Sequence, residues 1–181
     1  DYATVMRPME TGAGGVMAAQ IRSVSQVEQV VQWAKYPPFG ARGLNMGNYE
    51  AGYGTANVAE HVERANRDGW LTIQIETVEA LDSVEKIAQV QGVDCLFVGP
   101  ADLASNLGVP GQVMHPKCLE ALARVSDAAQ TAGKPWGVVA ANPEHGEKCR
   151  EMGCRLFSLA SELALLHRGL DATQKMFQSL M

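Results

Sequence analysis

Two short apolar runs end in carboxylates, and these carboxylates set the chemistry the chain can do. Leu71-Thr72-Ile73-Gln74-Ile75-Glu76 closes on Glu76, and Val93 to Gly99 hands over through Pro100-Ala101 to Asp102. Both runs read as strands buried in a parallel sheet. Successive parallel strands present their C-terminal ends on one side, where α/β folds bind ligands, so Glu76 and Asp102 are predicted to converge. Two carboxylates with no His or Cys cluster offer hard oxygen ligands, suited to Mg²⁺, Mn²⁺ or a similar ion such as Co²⁺. An ion held there, its shell completed by water and substrate, can polarise the ketone of a 2-oxo acid and stabilise its enolate. Ala101 and Asp102 begin a turn into a helix, which leaves their N–H groups able to receive a substrate carboxylate. Gln74 lies on the same strand face as Glu76 and can bond the same ligand. The same residues also admit a plainer reading, with Glu76 as a helix N-terminal charge and Asp102 as a cap for Leu103 onward.

The elements that position these groups alternate along the whole chain, as βα units around a parallel sheet do. A helix from about Ala3 to Glu10 stops at Gly12, and a strand follows from Gly15 to Ile21. Ser23 with Gln26 and Asn57 with Glu60 form capping boxes for helices through Ala34 and about Arg67. One helix is predicted through Ala80, Val84 and Ile87, and another from Pro116 until Gly133. Trp136 to Ala140 and Leu156 to Ala160 read as strands, with a capped helix from Asn142 between them and two terminal helices around Gly169. The sum is five strands and about seven helices. Tyr36 to Tyr53, rich in Gly and Tyr, is predicted to be a functional loop on the ligand side of the sheet.

Composition narrows the class. With 181 residues, 46% apolar and 19% charged, the chain is long enough to bury one core, and residues 1–181 read as a single domain. A net charge of −5 with scattered Lys and Arg offers no basic stripe for nucleic acid, and no apolar run is long enough to span a membrane. The four cysteines form no CxxC pair, as expected of reduced thiols in a cytoplasmic protein. The first residues, Asp1-Tyr2-Ala3-Thr4, show neither an initiator Met nor a signal-peptide pattern, so the chain is expected to be truncated at its front. Trp33, Trp70 and Trp136 are expected to pack in the core or at its rim.

Four segments, QIET at Gln74–Thr77, GVDCLFVGPADL at Gly92–Leu103, YPPFGARG at Tyr36–Gly43 and GKPWG at Gly133–Gly137, resemble the HpcH/HpaI aldolase family over about residues 1 to 170. Its best-known members are 4-hydroxy-2-oxoheptanedioate and 2-keto-3-deoxy-sugar-acid aldolases. The resemblance implies a TIM (β/α)₈ barrel of the phosphoenolpyruvate/pyruvate type, with about five of the eight βα units in this chain. It also implies a divalent metal on Glu76 and Asp102, and pyruvate contacts from Gln74 and the Ala101–Asp102 backbone. The implied activity is a metal-dependent class II lyase, cleaving a 4-hydroxy-2-oxo acid to pyruvate and an aldehyde. A homohexamer or other homo-oligomer is implied too, with the terminal helices at about 161–181 in its contacts. Glu10 aligns with the family's acidic partner of a catalytic His, although its position before a strand puts it at the wrong end of its own barrel. The family's catalytic His and its enolate-stabilising Arg match nothing here, since His61, His115, His145 and His167 fall in helices or at helix starts and Arg42 reads as a loop anchor. Two rival readings stay open, a non-catalytic metal- and oxo-acid-binding protein and a citrate-lyase-type enzyme acting on a CoA thioester.

Overall fold

A computed structural model describes residues 1–180, and its centre is a parallel sheet in chain order. The five strands are β1 (Gly15–Ala18), β2 (Trp70–Ile75), β3 (Cys95–Val98), β4 (Trp136–Val139) and β5 (Leu156–Ser158), each paired in parallel with the next. The helices are α1 (Tyr2–Glu10), α2 (Val24–Ala34), α3 (Val58–Asp68), α4 (Val78–Asp82), α5 (Val84–Gln89), α6 (Pro100–Asn106), α7 (Pro116–Thr131), α8 (Pro143–Glu151) and α9 (Glu162–Met176). No described helix is long and apolar enough to cross a membrane.

Strand alternation divides the sheet into two unlike faces. Leu71, Ile73 and Ile75 of β2, Leu96 and Val98 of β3, and Trp136 and Val138 of β4 pack into one core with α2, α5 and α7. The helices contribute Val27, Val30 and Val31, then Val84 and Ile87, then Leu122 and Val125. The opposite face carries Thr72, Gln74 and Glu76 beside Cys95, Phe97 and Gly99. Toward the edges it is open, with Met17 at 45%, Val139 at 39% and Leu156 at 42% exposure. At β4 this face must also be thin. A β-carbon on Gly137 would lie 2.7 Å from Phe97 and from the Leu156 side chain, so only glycine fits between them.

Several boundaries differ from the sequence expectation for local reasons. The helix expected through Ala80 and Ile87 breaks at Ser83 into α4 and α5, and a short α6 starts at Pro100, giving nine α-helices among the described residues. The two terminal helices are one, because α9 runs through Gly169 to Met176; a single glycine costs a helix only about 1 kcal/mol against alanine, too little to stop this one. The span expected to reach residue 181 is described to 180, and Met181 lies outside the described residues. The strand expected to reach Ile21 ends at Ala18. Ser23 accepts from the Gln26 N–H, while the Gln26 side chain accepts from the Arg22 N–H rather than closing the box on Ser23.

The Tyr36–Tyr53 loop lies at the other end of the sheet from the one expected. Helix α2 runs antiparallel to the strands, so the segment after it begins beneath their N-terminal ends. There Lys35 bonds the carbonyls of Asn66 and Gly69 and the Asp94 carboxylate, while the Glu50 N–H donates to Glu10 O. The loop is pinned by Arg42, which is buried, pairs through both Nη atoms with Glu50 and stacks 4.7 Å over the Tyr36 ring. Arg42 is thus the loop anchor that the sequence suggested.

All four cysteines are buried free thiols. Burial raises Cys149 to about 12 and Cys95 and Cys154 to about 11, so these thiols stay protonated and inert near neutrality. Trp136 is core, as expected, while Trp70 is 44% exposed at the start of β2.

Buried histidines give the fold a pH dependence of fixed sign. His145 is fully buried in α8; its Nδ1 accepts from the Ala141 N–H, and its Nε2 lies 3.7 Å from Cys149 Sγ. Burial lowers the pKa of His145, and likewise that of His61. An unfolded His takes up its proton near pH 6.5 while the folded one resists, so stability should fall as pH drops from about 6.5 toward the lowered folded values. Thermal unfolding from pH 7.5 to 5.5 should show a declining Tm, with a shallower decline in His145→Gln. An unchanged slope in that variant would remove His145 from the account.

Candidate functional site

The residue after β2 is the one fully buried Asp or Glu among the described residues. Glu76 is 1% exposed, and both its oxygens are engaged. Oε1 accepts from the Gln20 backbone N–H at 2.8 Å and from Gln20 Nε2 at 2.9 Å, and Oε2 accepts from Gln74 Nε2 at 2.5 Å. The β2–β3 register sets Gln74 beside Phe97 and Ile75 beside Val98, which brings Glu76 alongside Gly99. A β-carbon at Gly99 would meet Gln74 Nε2 at 2.6 Å and Glu76 Oε2 closer still. Glycine is therefore required for the carboxylate to lie where it does.

Asp102 reaches the same end of the sheet by way of α6. Gly99 is the helix N-cap and Pro100 its first residue, leaving Asp102 exposed in the first turn with Ala101 beside it. Asp102 is not the cap itself, which corrects the plainer reading. Asn106 ties the two segments together, since its Nδ2 donates to Glu76 O at 2.8 Å and to Asp102 O at 3.0 Å. Thr77 fixes the next residue of the turn by donating to Ile21 O and accepting from the Ala80 N–H. Gln74, Glu76, Ala101 and Asp102 thus lie at the same end of the sheet.

Glu10 does not join them. It ends α1, below the start of β1 and at the opposite end of the sheet, where its Oε1 accepts from Asn45 Nδ2 and Asn48 Nδ2, both at 3.2 Å. A cleft of about 650 Å³ opens at that end, lined by Gly12, Tyr49, Tyr53, Arg64 and Asp68 among others. It is remote from the carboxylate pair and shares no residue with it.

The donor set suits a hard divalent cation. All three groups around Glu76 are neutral amides, and every ion pair among the described residues lies elsewhere. A buried carboxylate with no counter-charge is costly, and a cation beside it removes that cost. No group of three or more His, Cys, Asp or Glu side chains arranged to hold a metal ion occurs among the described residues, so such an ion would rest on Glu76, Asp102 and neutral oxygens. That set favours Mg²⁺ or Mn²⁺ over zinc.

Gly99→Ala tests the cradle directly. The methyl group has to push Glu76 or Gln74 aside, so an ion such as Mn²⁺ held by Glu76 would be bound more weakly by about ten-fold or more, the loss typical when the groups that orient a metal ligand are disturbed. Titration followed by electron paramagnetic resonance would show it, and unchanged affinity would mean that the Gly99 contact does not set the site.

Gln20 and Asn106 were not legible as site residues. Gln20 sits beyond β1 as one polar residue in the run Ala18-Ala19-Gln20-Ile21, and only the early end of the strand and a φ of +55° turn both its donors onto Glu76. The histidines fall where expected, with His61 and His145 buried, His115 capping α7 and His167 exposed on α9.

With this geometry in place, comparison with known proteins identifies the class. The profile of the HpcH/HpaI aldolase/citrate lyase family matches residues 3–168, and the chain belongs to that family. It is 31% identical over 172 residues to 5-keto-4-deoxy-D-glucarate aldolase of Shigella boydii serotype 18, a match that covers 95% of this chain and 65% of that protein. It is 36% identical over 180 residues to hydroxypyruvate/pyruvate aldolase of Paraburkholderia phytofirmans, covering 97% and 67%. The crystal structure of the HpcH/HpaI aldolase from Desulfitobacterium hafniense DCB-2 superposes with a TM-score of 0.90 at 32% identity, over 98% of this chain and 69% of that one. The chain spans about two thirds of the length of these relatives.

Proposed function

We propose that the chain acts as a metal-dependent class II aldolase, reversibly cleaving a 4-hydroxy-2-oxo acid to pyruvate and an aldehyde. The observation that carries this reading is the buried Glu76 carboxylate, bonded by neutral amides and paired with no basic side chain, beside the start of α6. Glu76 and Asp102 would hold the divalent ion, which when bound supplies a Lewis acid for the keto oxygen of pyruvate and its enolate. The Ala101 and Asp102 N–H groups, uncommitted in the first turn of α6, would receive the pyruvate carboxylate. Gln74, held against Glu76, would keep that ligand oriented. The aldolase names of the relatives support the same substrate class.

The face of the sheet that carries Thr72, Gln74 and Glu76 would be the inner wall of a (β/α)₈ barrel, with the helix-covered face outside. Helix α9 has no buried residue and exposes Leu163, Leu165, Leu166, Leu170 and Met176, which suits packing on another copy in a homo-oligomer. Glu10, on the opposite end from Glu76, enters this reading only as a contribution to a neighbouring copy's site.

One observation favours the binding-only reading. His61 and His145 are buried, His115 caps a helix and Arg42 is held by Glu50, so none of them is free to move a proton at Glu76 or steady an enolate there. Exchange of the pyruvate methyl protons with D₂O separates the two readings. The aldolase reading expects exchange that requires Mn²⁺, whereas Mn²⁺ binding without exchange supports a binding role alone.

A further inference from the structure

Gln20 stands out among the residues that the catalytic reading does not use. It is a non-glycine residue at φ +55°, a conformation uncommon for a residue with a side chain. That turn aims the backbone N–H and the side-chain amide of one residue at a single carboxylate oxygen, Glu76 Oε1, at 2.8 and 2.9 Å. Gln20 is itself exposed while Glu76, which it bonds, is 1% exposed.

We propose that Gln20 is the positioning residue of the Glu76 site: its two donors occupy Oε1, so that Glu76 meets a divalent cation through Oε2 alone. A carboxylate oxygen accepts about two hydrogen bonds along its lone pairs, and Gln20 fills both on Oε1. Oε2 takes one bond, from Gln74 Nε2, and keeps one lone pair open. Glu76 is thereby a single-oxygen ligand, which leaves more of the ion's shell to Asp102, water and a chelating oxo acid. The left-handed backbone accompanies the device, as sparsely populated backbone conformations do at functional sites. The inference rests on the reading of Glu76 as a cation ligand.

The test is Mn²⁺ titration of the full chain by electron paramagnetic resonance, with Tm measured in parallel. Gln20→Leu removes the side-chain donor at similar volume, and Mn²⁺ affinity should drop about 10- to 100-fold, the range for lost outer partners of a metal ligand. Gln20→Gly keeps the backbone donor and relaxes φ, so it should lose affinity too, because the carboxylate loses a bond that fixes its orientation. Neither variant should lower Tm by more than a few degrees, since Gln20 lies outside the core, and a purely structural role would move Tm and leave affinity alone. Wild-type affinity in Gln20→Leu overturns the positioning role while leaving the Glu76 site standing. Failure of the wild-type chain to bind Mn²⁺ overturns the Glu76 reading and this inference with it.

Discussion

Glu76→Gln should lose Mn²⁺ affinity by more than about 100-fold, beyond what losing an outer partner of a metal ligand costs, and with it any Mn²⁺-dependent exchange of pyruvate protons. The substitution removes the charge and almost nothing else. Its amide oxygen can still accept from Gln20, and the Gln74 amide can turn to present its oxygen to the new NH₂ group. Because the native carboxylate is buried beside neutral amides only, the variant should match or exceed the wild-type Tm in the absence of metal. With Mn²⁺ the order should reverse, since a ligand that binds only the folded state adds RT ln(1 + [L]/Kd) to stability. Calorimetry with and without Mn²⁺ reads both effects. A variant destabilised without metal would mean that Glu76 serves the fold rather than a cation.

The largest stability effect is expected at the other end of the sheet. Arg42→Ala leaves the Glu50 carboxylate, 16% exposed, without its partner and empties the space over Tyr36. Removing one member of a buried pair costs roughly 3–5 kcal/mol, and the partial exposure of Glu50 places this case at about 3. For a chain of this size that lowers Tm by about 6–12 °C. Arg42 Nε has no hydrogen-bond partner, so the native pair is itself imperfectly satisfied. The double variant Arg42→Met/Glu50→Leu should therefore recover much of the loss in urea unfolding. A loss below 1 kcal/mol in Arg42→Ala would show that the Tyr36–Tyr53 loop is held by its other bonds, among them Tyr36 N–H to Asn66 and Gly43 N–H to Tyr2.

What was legible in the sequence follows from which forces are local. Strand runs, caps such as Ser23 and Asn142, and the Gly99-Pro100 handover are written in a few adjacent residues, and each lies where its residues place it. Glu76 and Asp102 could be paired because parallel strands deliver their ends to one side whatever the details. The loop side could not be read this way, because glycine and tyrosine content marks a loop without marking an end. Its place is fixed by contacts between distant segments, such as Lys35 with Gly69 and Asp94 and Arg42 with Glu50. Gln20 was hidden for the same reason, its role resting on a single backbone angle and a partner 56 residues away. The break at Ser83 and the continuity of α9 through Gly169 are small local energies settled by their surroundings.

Mn²⁺ binding measured with and without pyruvate, in the wild type and in Glu76→Gln, tests the account most directly. A cation resting on Glu76 and Asp102 with shell positions left for an oxo acid should be bound more tightly when pyruvate is present, and neither binding nor tightening should survive in Glu76→Gln. Mn²⁺ bound with equal affinity by that variant, or indifferent to pyruvate in the wild type, would contradict it.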